Sequence, residues 1–167
     1  MALPSTAEEL GDLIEQEERL VFERFDHRTG RQLGTRLLEE ADRQGLPVVV
    51  AVILAGQRLF HAALPGTTAE NDGWVDRKAR VVQRFGHSSL RVGTQARIDG
   101  LDHENIPGLD PAEYAAHGGA FPITVRGTGV VGAVIVSGLP QLKNHRFVVE
   151  QLTAFLADQQ DGTSRTD

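Results

Sequence analysis

Residues Pro47 to Ala63 read PVVVAVILAGQRLFHAA, and this stretch decides the fold. From Pro47 to Leu54 the chain is apolar at odd and even positions alike. A strand with two apolar faces must be covered on both, so it belongs inside a sheet with helices on either side. The run is too short to span a bilayer. Ala55-Gly56-Gln57 reads as a short turn, and Arg58 to Ala63 returns as the hairpin partner.

Working outward from the hairpin, Thr29 to Gln32 reads as a capping box. Leu33, Leu37, Leu38 and Ala41 follow as an apolar stripe, and Gly45 and Pro47 end that helix. Further upstream, Ser5 to Glu8 fits another capping box, which predicts a helix over Thr6 to Glu17 with an acidic outer face. Arg19 to Phe25 reads as a strand. Downstream, Pro65-Gly66-Thr67 breaks the pattern. A helix is then expected over Asn71 to Phe85, with Trp74, Lys78, Val81, Val82 and Phe85 along one side and Gly86 as its stop. His87 to Ala116 shows no sustained period and reads as irregular, except for a short helix over Pro111 to His117 capped by Asp110. Phe121 to Arg126 and Val130 to Val136 read as two strands, and Asn144 to Ala157 as the last helix. Asp158 to Asp167 reads as a polar, disordered tail.

The expectation is one α/β (α+β) domain over residues 1–157, with five antiparallel strands and helices on both sheet faces. The 167 residues suit a single core. A chain with 40% apolar and 24% charged residues has a globular composition. With no cysteine, disulfides, thiolate zinc sites and cysteine nucleophiles are excluded. The acidic, non-basic start and the lack of a long apolar run predict a cytoplasmic chain with no membrane association. A net charge of −6 argues against a general nucleic-acid binder.

Several motifs carry chemistry in principle. Gly127 to Gly132 matches G-x-G-x-x-G, but a strand follows it where a dinucleotide site needs a helix, so a hairpin turn explains it better. No histidine pair has the spacing of a helical zinc site. Asp99, Asp102, His103 and Glu104 crowd one loop that could hold a hard cation, although a solvated acidic loop is the commoner outcome, and no metal site is assigned. Arg77, Arg80 and Arg84 share one helical side, while Lys78 lies within the apolar stripe. Either its stem snorkels past the sheet edge, or Lys78 and Arg77 present cations to a carboxylate or phosphate. In His117-Gly118-Gly119, the first glycine caps a helix, while the pair exposes backbone N–H groups suited to an anion or a flat ligand.

Three stretches together carry a family resemblance: WVDRKARVVQRFGHSSL (Trp74 to Leu90), HGGAFPI (His117 to Ile123) and GVVGAVIVSGLPQLKNH (Gly129 to His145). The chain resembles an uncharacterised family related to the GlcG and HbpS-like (heme-degrading domain) superfamily, over about Leu13 to Leu156. That resemblance implies a profilin-like α/β/α fold with a five-stranded antiparallel sheet, and a homo-oligomer. It also implies kinship with proteins that bind heme, iron or corrinoids. The shared positions Trp74, Arg77, Lys78, Ser88, Ser89, Gly118, Gly119, Ser137, Gly138 and His145, with the neighbouring His117, form the expected ligand pocket. Three functions stay open: an oligomeric binder of a small molecule such as heme or a related tetrapyrrole, ligated by His117 or His145; an enzyme pairing His87 with Ser88 and Ser89, or His145 with Ser137; and a non-enzymatic scaffold for a protein partner.

Overall fold

The computed structural model describes residues 2–164 of the chain. Helix α1 (Ala7–Arg19) is capped by Thr6, whose side chain accepts from the Glu9 N–H while Glu9 reaches back to the Thr6 backbone. The capping box therefore sits one residue later than Ser5 to Glu8. Strand β1 is only Val21–Phe22, because α1 runs on through Arg19 and Leu20 closes it. Helix α2 (His27–Arg43) starts before the expected box. Asp26 is its N-cap, and Thr29 lies inside the first turn, giving both its N–H and its hydroxyl to the Asp26 carboxylate.

The decisive stretch folds as a hairpin, with β2 starting at Val49 rather than Pro47 and Gln57 belonging to the second strand rather than to the turn. Strand β2 (Val49–Leu54) pairs with β3 (Gln57–Ala63) through a two-residue turn in which Ala55 (φ 48°) and Gly56 (φ 82°) both take positive φ. Helix α3 (Ala69–Phe85) ends on Gly86 in the left-handed region. The segment expected to be irregular contains a further helix, α4 (Ser89–Ile98), capped by the Ser88 hydroxyl. Its apolar stripe is too weak to announce a helix, because its buried positions are largely small or polar: Ser89, Gly93, Thr94 and Ala96. The helix expected over Pro111 to His117 is instead a turn, with Glu113 and Tyr114 both donating to the Asp110 carbonyl. Strands β4 (Ala120–Val125) and β5 (Gly129–Ser137) form the second hairpin around Gly127-Thr128, so G-x-G-x-x-G lies in a turn and strand. Helix α5 (Gln141–Ser164) absorbs most of the expected tail; residues 165–167 of that tail lie outside the described residues.

The sheet order is β1-β4-β5-β2-β3. It is a mixed sheet rather than a wholly antiparallel one, because β1 runs parallel to β4. The antiparallel inference holds for strands joined by tight turns. β1 is separated from β4 by α2, β2, β3, α3 and α4, so no hairpin constrains its direction. Side-chain alternation from Val48 through β2 feeds two cores. Val48, Val50 and Val52 face Leu33, Leu37, Val148 and Leu152 of α2 and α5, while Val49 and Ala51 face Val75 and Val82 of α3. Helices thus cover both faces, and the site described next lies where α3, the segment before β4, the end of β5 and the start of α5 meet.

Candidate functional site

Helix α3 supplies the first wall. Thr68 and Asn71 form its capping box, and helical spacing places Asn71, Trp74 and Lys78 on one face. This face meets Gly118 from the segment before β4, Ser137 and Gly138 from the end of β5, and Leu139, Gln141 and Asn144 leading into α5. Together with His117 they line a cavity of about 290 Å³. Of the residues selected in the sequence, Trp74, Lys78, His117, Gly118, Ser137 and Gly138 line it.

Lys78 does not snorkel. It is 2% exposed, and its ammonium donates to the carbonyls of Val136 (2.8 Å) and Gly118 (3.3 Å). Burial, and secondarily the neighbouring Arg77 charge, push its pKa down from 10.5 to about 7. Both partners are neutral dipoles, so the amine is buried without a counter-charge among its hydrogen-bond partners.

The paired glycines have a packing reason that the local sequence does not reveal. A Cβ on Gly118 would collide with the Gln141 carbonyl. One on Gly119 would collide with the Val136 carbonyl and come within 2.6 Å of the Lys78 nitrogen. Gly119 also sits at φ 137°, which side-chain-bearing residues rarely adopt. The Gly118 N–H is already given to Gln141 Oε1 (3.0 Å) and is no free anion donor.

His117 packs edge-on against Trp74, with ring centroids 5.0 Å apart. Burial first, then the nearby His103, hold its pKa below the usual histidine value, so it is neutral at pH 7. Arg77 is not in the Lys78 cavity. Its guanidinium lies 4.1 Å from the Trp74 ring centre. It lines an adjoining cavity of about 300 Å³ with His103, Glu104, Tyr114 and His117. Arg77, Arg80 and Arg84 donate to the carbonyls of Pro111, Glu113 and Gly108 respectively, so the arginine row fastens the long loop to α3.

The remaining expected residues lie elsewhere. The Ser89 hydroxyl pairs with the Ala120 backbone, and Ser88 caps α4. His87 lies 3.2 Å from buried Glu17, which also accepts from the Ser88 N–H and pairs with Arg91. These contacts join α1 to α4 and leave no free His87–serine pair. His145 is buried, with Nε2 2.7 Å from Gln16 Oε1, and burial lowers its pKa to about 4. It lies on α5 behind Gly118 and does not line the cavity. Sequence reasoning missed Asn71, Gln141 and Asn144. Asn71 follows from helical spacing; the two α5 residues have no local signal, since the approach of α5 to Gly118 is tertiary.

A mixed five-stranded sheet between helical layers is a fold that solved structures share. The model of the family described as "Haem degrading protein HbpS-like" matches residues 25–153, and the chain belongs to that family. A UPF0303 protein of Streptomyces coelicolor is 51% identical over 95% of this chain and all of its own length. A UPF0303 protein of Rhizobium etli is 47% identical over 92% of this chain and 93% of its own. Among solved structures, the Ybr137w protein matches with a TM-score of 0.83 and 30% identity over 90% of this chain and 89% of that one. The PduOC:heme complex shares the fold, with a TM-score of 0.62 and 18% identity, over 81% of this chain and 95% of that one. Among the described residues no helix is long and apolar enough to cross a membrane.

Proposed function

We propose that the chain binds a compact acidic small molecule, a carboxylate or phosphate, in the cavity between Trp74, Lys78, His117 and Ser137. The observation that carries this reading is the buried Lys78 ammonium. Among the described residues the protonated amine is held only by two carbonyls and is poorly compensated, and an anion in the adjoining cavity supplies the missing partner that keeps it protonated. The Ser137 hydroxyl and the Asn71 amide offer further donors to such a group.

A tetrapyrrole, the ligand class to which the family relationship points, fits a single chain less well. The cavity beside His117 is small and is walled by Asn71, Lys78, Gln141 and Asn144, whereas a macrocycle needs broad apolar faces. A larger groove of about 600 Å³, between α3 and the β2–β5 sheet, has more apolar walls. Among the described residues, no His, Cys, Met or Tyr lines that groove to hold iron.

Trp74 is the only tryptophan in the chain, so its fluorescence reports directly on the site. A panel of small carboxylates and phosphates, together with hemin, tests the reading. The expected result is a saturable change in Trp74 emission with at least one acid, abolished in Lys78→Met. Hemin is expected to give no Soret shift that depends on His117. Silence from every acid, or a response unchanged in Lys78→Met, refutes it.

A further inference from the structure

We infer that His103, Glu104 and His117 form a binding site for a divalent transition-metal ion, zinc or iron(II), with at least one coordination position left open. The three residues come from opposite ends of the long loop and meet beside Trp74. One ligand atom from each lies within 4.8 Å of the others. The Nε2 of His117 is 3.7 Å from Glu104 Oε1, and the two imidazole rings are 5.1 Å apart.

Two imidazoles and a carboxylate suit a borderline cation; magnesium and calcium prefer all-oxygen sets. Two ligands on a tetrahedral zinc at about 2.0–2.1 Å lie roughly 3.3 Å from each other. Side-chain rotation closes the remaining gap, because the Glu104 carboxylate is solvent-exposed and its backbone is fixed. Asp102 does that fixing. Its carboxylate accepts from the Glu104 N–H (3.0 Å) and from the Asn105 amide (2.8 Å).

Asp102 is therefore engaged in the turn, and Asp99 accepts from Gln95 on α4. Neither joins the cluster, so the site differs from a generic acidic loop. An ion pair between Glu104 and His117 explains the geometry poorly. At 3.7 Å the contact is too long for a good hydrogen bond. The His117 Nδ1 is buried and has no hydrogen-bond partner among the described residues.

Three protein ligands leave room for water or an anion, as at catalytic rather than structural zinc sites. The cavity of about 300 Å³ that adjoins the cluster presents Arg77 and Tyr114, so an anion on the metal meets a guanidinium. This inference does not depend on what the Lys78 cavity holds.

The test uses the full chain, stripped with a chelator and titrated calorimetrically with zinc chloride. Cobalt(II) serves as the spectroscopic probe of imidazole ligation. His103→Ala and Glu104→Gln are the informative variants, since both lie on the surface loop and leave the core intact. The expected result is one-to-one binding, weakened at least about tenfold in each variant and changed less than about twofold in Asp99→Asn. Absence of one-to-one binding, an unchanged affinity in either loop variant, or an equal loss in Asp99→Asn overturns the site.

Discussion

Replacing Lys78 with methionine keeps most of the buried stem and removes the ammonium. Its main effect should be on the pH dependence of stability. A lysine with a folded pKa near 7 and an ordinary unfolded value of 10.5 is neutral in the folded chain between those limits and protonated in the unfolded one. The unfolded state then binds more protons, so stability rises with pH across that window. At about 1.36 kcal/mol per unit, the whole window corresponds to an upper bound of about 5 kcal/mol, and pH 7 to 9.5 covers about 3 kcal/mol of it. The carbonyls of Gly118 and Val136 favour the charged form and reduce that figure. In Lys78→Met the same two carbonyls lose their donor, at about 1–3 kcal/mol each, against the relief of a buried charge. Net stability at pH 7 should therefore change little compared with the change in slope. Urea unfolding of both proteins at half-unit steps from pH 7 to 9.5 measures this. Subtracting the two curves cancels the other titrating groups. Wild type should gain at least about 1 kcal/mol relative to the variant over that range. A flat difference would falsify the buried-amine reasoning. A difference of opposite sign would mean that the ammonium is a net stabilising cation.

His145 should act at the other end of the scale. Its pKa falls from 6.5 to about 4 on folding, so the unfolded state binds the extra proton between those values, and stability drops as pH falls from 6.5 toward 4. The loss is at most about 3 kcal/mol, and His145→Gln should flatten it in acid unfolding curves. At the β2–β3 turn, Ala55 carries a positive φ that a side chain with a Cβ tolerates poorly, while Asn-Gly is the favoured pair there. Ala55→Asn should raise stability by about 0.5–1 kcal/mol; a neutral or lower midpoint in urea would contradict the turn assignment.

Much of the scaffold was legible because it is written locally. The two-faced apolar run over β2, the short turn that follows it and the Gly86 stop are each decided within a few residues. The elements missed or misplaced are those whose signal is not apolar. Helix α4 buries Ser89, Gly93 and Thr94, and a Cβ on Gly93 would strike the Ala116 carbonyl, so its inward face is small because a backbone passes close by. The direction of β1 depends on a neighbour far along the chain, and no property of Val21–Phe22 encodes it.

The candidate site shows the same division. Placing Trp74 beside Lys78 needs only helical spacing. Whether Lys78 reaches water or is enclosed depends on Gly118, Gly119 and Val136, which a sheet and a loop deliver from elsewhere in the chain. The two glycines read as an anion cradle in the sequence. In the fold they are the clearance that lets the β4 entry, the end of β5 and α5 close over an amine. The arginines have a parallel history. Arg77, Arg80 and Arg84 form a basic row by spacing, yet each donates to a loop carbonyl. Their charge therefore serves less as a surface field than as the fastening that holds residues 108–113 of the long loop against α3. A row of like charges on one helix face and an acidic loop without periodicity are thus one structural unit, and only the backbone carbonyls between them reveal it.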